Sequence, residues 1–206
     1  MTNQLSAWTS WARFFAARSN RELPSLDANG DYAALPASLA RSLAIFQLGE
    51  SGGGTVVRQS LRSGLPGIDE YFAAAVLLFV EEEHRHANIL AMCVRQLGGK
   101  LRRNNWTQKL FVIARRLMGL RLKFTVLLAA EVVGICYYHL IAMQLPASRM
   151  RDQLLELVED ERAHLYFHCD FLHSQMRKNW QRRLFKLTWR TVMACASVAV
   201  IIDHSR

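Results

Sequence analysis

The sequence is short of the features that mark β-structure, disulfide frameworks and cysteine metal sites. It has four prolines in 206 residues and no run that alternates apolar and polar residues, so half-buried strands have no pattern to grow from. The four cysteines, Cys93, Cys136, Cys169 and Cys195, form no Cys-x-x-Cys pair. That excludes a structural zinc ribbon and a rubredoxin-type iron site, and the thiols read as reduced groups of a cytoplasmic protein. A signal peptide is not expected, because 5–17 is broken by polar residues and Arg13.

Acid is scarce and unevenly placed. The formal charge is +9, and no Asp or Glu lies between Glu83 and Glu131, where Arg95, Lys100, Arg102, Arg103, Lys109, Arg115, Arg116, Arg121 and Lys123 accumulate. A second basic run holds Arg177, Lys178, Arg182, Arg183, Lys186 and Arg190. Interleaved with Trp106, Phe111, Trp180 and Trp189, this surface suits an anionic membrane or an acidic carrier protein, or is a solvated face with no partner. Nucleic acid is not expected, since no binding motif accompanies the charge.

What the chain does have is apolar helix. With 51% hydrophobic residues it can fill the core of one helical domain. The periodicity predicts an amphipathic helix over 4–18, a turn-rich linker over 20–36, and long helices over 36–62, 68–97, 120–144 and 148–178. A short basic helix is expected over 106–118, and a last helix over 180–202. The run 124–145 is nearly long enough to span a bilayer but contains Glu131 and His139 and has no equally long partner. The apolar stretch 191–202 is too short. A soluble protein, at most peripheral to the inner membrane, is expected.

Two copies of one pattern stand out. Glu82-Glu83-His84-Arg85-His86 and Asp160-Glu161-Arg162-Ala163-His164 each place a histidine three residues after the second of two acids. Residues three apart on a helix share a face one turn apart, so Glu83 with His86, and Glu161 with His164, can grip one ion per helix. Two further acids need explaining. Glu50 follows the run Leu43-Ala44-Ile45-Phe46-Gln47-Leu48, and Glu131 is embedded in 125–133, each the only acid for a long way in either apolar helix. Burying a lone carboxylate costs several kcal/mol unless a cation or donor compensates it. After Glu50 comes Ser51-Gly52-Gly53-Gly54, at roughly 1 kcal/mol per glycine in a helix interior. Close helix contact, a local bulge, or room for a substrate would each account for it. The competing view of these acids is a metal-free helical protein in which Arg41, Arg58, Arg85 or Arg162 neutralises them.

One Glu from each of two helices and a Glu-x-x-His from each of two others is a set that resembles the ferritin-like di-iron carboxylate superfamily, over roughly residues 35–178. The resemblance implies an all-α fold: a ferritin-like four-helix bundle, flanked by an N-terminal helix and linker (1–34) and a C-terminal basic helix (179–206), with a crossover helix between the second and third bundle helices. It implies metal ligands Glu50, Glu83, His86, Glu131, Glu161 and His164, with Glu82 orienting His164 and Asp160 orienting His86. Two iron ions are implied, with manganese or a mixed pair accepted by the same ligands, and dioxygen as co-substrate.

The implied activity is that of an oxygenase or oxidase acting on a small, quinone-like or carrier-bound acyl substrate, with an external electron donor. The alternative is a ferroxidase or metal-storage protein with no organic substrate. Gly49-Glu50-Ser51-Gly52 is similar to the first ligand segment of the demethoxyubiquinone hydroxylases. Tyr138 and His168 point broadly toward the same centre and are further catalytic candidates, against the ordinary role of buried core residues. A homodimer is compatible with this class.

Overall fold

The computed structural model describes residues 7–26, 32, 35–52, 54–105 and 119–204. The described residues form an all-helical bundle without strands, in the order α1 Ala7–Arg18, α2 Ala37–Glu50, α3 Gly54–Leu61, α4 Glu70–Gln96, α5 Leu120–Gln144, α6 Arg149–Gln175 and α7 Asn179–His204. The short helix expected over 106–118 lies outside the described residues.

Helix ends fall where local chemistry puts them. Asp69 caps α4 by accepting from the Phe72 N–H at 2.9 Å, and Ser148 caps α6 by accepting from the Arg151 N–H at 3.3 Å. Helix α4 stops at Gly98, whose φ of 69° lets the Gly98 and Gly99 N–H groups fold back onto the Arg95 and Val94 carbonyls. Leu145-Pro146 ends α5, since a residue before proline disfavours the helical region.

The expected single helix over 36–62 is instead two. The chain leaves α2 after Glu50 and re-enters helix at Gly54, so Glu50 is a terminal rather than a central helix residue. The glycine run supplies the reason: Gly costs about 1 kcal/mol relative to Ala in a continuous helix, and Gly52 together with its neighbours concentrates that cost at one point.

Two apolar layers bracket a polar one. The first contains Val56 of α3, Phe72 to Val80 of α4, Phe124 and Leu128 of α5, and Phe167 and Phe171 of α6, closed over by Trp8 and Phe15 of α1. The second contains Leu43 and Ala44 of α2, Ile89 to Val94 of α4, Tyr138 and Ala142 of α5, and Leu154 to Val158 of α6. Helices α4, α5 and α6 pass from one layer to the other, carrying Glu83 with His86, Glu131, and Glu161 with His164 at the crossing, and α2 ends there at Glu50. The layer order also fixes direction. Helices α4 and α5 run the same way and α6 runs against them, so the chain must travel the length of the bundle between α4 and α5.

Helix α5 and helix α7 are both long and apolar enough to cross a membrane by length and composition. For α7 this corrects the expectation from 191–202 alone, because one helix extends that stretch back to Asn179. Helix α7 buries Ala196 and leaves Trp180, Leu184, Leu187, Val198 and Ile201 exposed.

Where α2 meets the end of α4, a Cβ on Gly99 would stand 2.6 Å from Ala40 Cβ and 3.0 Å from the Val94 carbonyl oxygen. Gly99→Ala is therefore expected to destabilise the protein by about 1–3 kcal/mol, read as a lower urea midpoint with an unchanged slope.

Candidate metal centre

Glu83, His86, Glu161 and His164 offer one ligand atom each within 4.8 Å of one another, and all four residues are buried. Helix spacing places each Glu and His on one face, and the antiparallel approach of α4 and α6 brings the two faces together. The lone acids join them. Glu50 lies within hydrogen-bonding reach of Glu83, and Glu131 of Glu161. Three buried carboxylates and two buried imidazoles thus lie together, with the half-buried Glu50 beside them.

The histidines are oriented from outside. The His164 Nε2 and Glu82 Oε2 atoms are 3.0 Å apart, and His86 Nε2 and Asp160 Oδ2 are 3.2 Å apart. A carboxylate that accepts the Nε2 proton fixes the tautomer and leaves Nδ1 with a lone pair facing inward. The inner atoms are poorly satisfied. Glu83 Oε1, Glu161 Oε1 and His86 Nδ1 are buried without an aligned hydrogen bond. His86 Nδ1 does stand 3.1 Å from Glu161 Oε1, and Glu83 Oε1 2.8 Å from His164 Nδ1, close approaches that lack hydrogen-bond alignment.

Tyr138 and His168 each reach one of the lone acids. The Tyr138 hydroxyl donates to Glu50 Oε1 at 2.5 Å, and His168 Nε2 lies 2.9 Å from Glu131 Oε1. Both rings are fully buried. His84 and His173 are exposed and take no part.

The charge balance follows from this geometry. Burial, reinforced by the neighbouring Glu83 and Glu161 charges, raises Glu50 well above the ordinary carboxyl value of 4.5, and the same causes raise Glu131. Burial also acts to raise Glu161, but attraction to His86 and His164 outweighs it and holds that carboxyl well below its usual range. For His164 burial opposes the charged form, and Glu83, Glu161 and Glu82 overcome it and raise the imidazole well above 6.5. Burial and the His164 charge lower His168, which stays neutral. The metal-free cluster is therefore held by protons and an imidazolium standing where cations would stand.

A second group of potential ligands, Glu82, His86 and Asp160, lies just outside. It already has cations. Arg18 Nε bonds Glu82 at 2.9 Å and its Nη2 reaches Asp160. Arg21 Nη2 bonds Asp160 at 2.7 Å and also reaches Glu82. Burial acts to raise Glu82, but His164 first and then Arg18 outweigh it and bring that carboxyl down to about 2. Arg85 joins through Glu156 at 3.0 Å. Among the described residues no arginine or lysine pairs with Glu50, Glu83, Glu131 or Glu161.

Of the four arginines named as neutralisers, Arg85 joins the outer network beside Glu156 and Asp160, Arg162 pairs with Glu159 on the surface, and Arg41 and Arg58 are exposed. Arg18 and Arg21 were not legible as partners. Arg18 ends the N-terminal helix and Arg21 follows it, both far from Glu82 and Asp160 in sequence, and the packing of α1 on α4 brings them in. No protein-family model, curated protein or solved structure matches the chain.

In the metal-free protein, Glu50→Gln is expected to raise stability at neutral pH by on the order of 1 kcal/mol or more, because it removes the cost of protonating that carboxyl on folding. A carboxyl raised on folding contributes stability below its unfolded value and loses it as pH rises. The gain should therefore be absent below about pH 4.5 and grow above it, as read from denaturation midpoints across pH.

Proposed function

We propose that the chain is a ferritin-like non-haem dinuclear metal enzyme, an oxygenase or oxidase that oxidises an organic substrate with dioxygen. The observation that carries this reading is the convergence of three buried carboxylates, the half-buried Glu50 and two inward-facing histidines, with which no arginine or lysine pairs among the described residues. The residues fit a pair of divalent ions: four carboxylate charges balance two such ions, the orphaned Glu83, Glu161 and His86 atoms gain partners, and mixed oxygen and nitrogen donors suit iron or manganese.

Glu83 with His86 would hold one ion and Glu161 with His164 the other, with Glu50 and Glu131 completing the set. When bound, such ions supply dioxygen binding and electron transfer to it. The protein does the rest. Glu82 and Asp160 keep each Nε2 protonated, and Arg18 and Arg21 keep those two carboxylates ionised, so the imidazoles stay in the orientation that presents Nδ1. Tyr138 holds a proton at Glu50 and His168 holds one at Glu131, which fixes the rotamers of both acids and provides a proton on each side of the centre. The aromatic layer of Phe79, Phe124 and Phe167 excludes water from one side. Electrons would come from a separate donor or from the substrate.

Anaerobic addition of ferrous ion followed by air should give an oxo-bridged ferric absorbance with dioxygen uptake, both lost in Glu131→Ala. Air-insensitive binding, or uptake that survives the substitution, would refute the assignment. Glu82→Gln should keep the metal stoichiometry and weaken affinity by roughly 10–100-fold, measured by competition with a chelator.

A further inference from the structure

Between α3 and the first turn of α5 lies a surface-open cavity of about 790 Å³. Its walls come from two acid-free stretches of the chain, 51–68 and 84–130. The lining includes Arg58 and Arg62 from α3 and the turn after it, and Arg121 and Lys123 from α5, with no aspartate or glutamate among the described lining residues. Lys123 is only 1% exposed, and its Nζ stands 3.4 Å from the Thr55 hydroxyl, which also lines the cavity. Arg121 reaches Gln175 Oε1 at 3.4 Å.

Four cationic side chains around one concave surface repel one another. The start of α5 adds to the positive potential, because Gly119 caps the helix with no side-chain acceptor for its first N–H groups. Exposed cations normally disperse into solvent; here one is buried and the others ring the same hollow. A bound polyanion would offset the repulsion, and guanidinium pairs with a lysine suit phosphate oxygens through bidentate and point-charge contacts.

We propose that this cavity is a binding site for the phosphate group of an organic phosphate ester. Phosphate matches it better than a single carboxylate, since it can accept from several of these donors at once and carries more charge. The shared chemistry covers a soluble phosphorylated molecule and a phospholipid headgroup alike. The site stands on the same two chain segments as the ligand acids: Glu50 just precedes α3, and Glu131 lies about 12 Å along α5 from Lys123 at roughly 1.5 Å per residue. The inference does not depend on metal at the centre.

Calorimetric titration with inorganic pyrophosphate, and sedimentation with vesicles of phosphatidylglycerol in phosphatidylcholine, test it at fixed ionic strength. The double variant Arg58→Ala/Arg62→Ala removes two exposed cavity cations, and Arg102→Ala/Arg103→Ala removes two exposed cations elsewhere. Saturable binding that falls at least about tenfold in the first variant alone is the expected result. Loss with pyrophosphate assigns a soluble phosphate ligand, and loss with vesicles alone assigns a lipid headgroup. No binding of either probe, or equal loss in both variants, would overturn the proposal.

Discussion

Mutual repulsion among buried carboxylates is the constraint on which the rest of this structure depends. Glu83, Glu131 and Glu161 are buried between two apolar layers with Glu50 half-buried beside them, and ionised acids so close together destabilise the fold unless positive charge is supplied. The metal-free chain meets this with protons on Glu50 and Glu131 and with a charged His164. That arrangement is costly for a purely structural core. Leucines of similar volume would pack there without charge compensation, and the polar layer is a group that could hold a metal ion.

The arginines make the point by contrast. Glu82 and Asp160 are as deeply buried as the inner acids, yet Arg18 and Arg21 neutralise them in the manner of an ordinary ion-pair network. The same fold thus solves one buried-acid problem with guanidinium and leaves the other open, a few ångströms further in. The network also ties the segment after α1 to α4 and α6 at the level of the histidines. The N-terminal helix is thereby part of the site's support, although none of its residues enters the inner cluster.

Much of the centre was legible in the sequence because its signals are local. A Glu-x-x-His on a helix places both groups on one face whatever the tertiary structure, and a lone acid in an apolar helix, such as Glu131, is conspicuous by its cost. Glu50 was legible for that reason too, but its position at a helix end was not, since the glycine run allowed several outcomes. Arg18 and Arg21 were illegible because their partners lie in distant helices and nothing in their immediate neighbourhood marks them. The exposure of α7 was likewise hidden: its composition is that of a packing helix, and only the arrangement of neighbours decides which face is covered. Tyr138 and His168 could be placed near the centre by helical phase, whereas their specific acceptors, Glu50 and Glu131, required the third dimension.

The most direct test is a crystal grown anaerobically with ferrous or manganous ion and measured at the metal absorption edge. The account predicts two anomalous peaks per chain, one beside Glu83 and His86 and one beside Glu161 and His164, with Glu50 and Glu131 in contact. An empty inner cluster, or a single ion held among Glu82, His86 and Asp160 after displacement of the arginines, would contradict it.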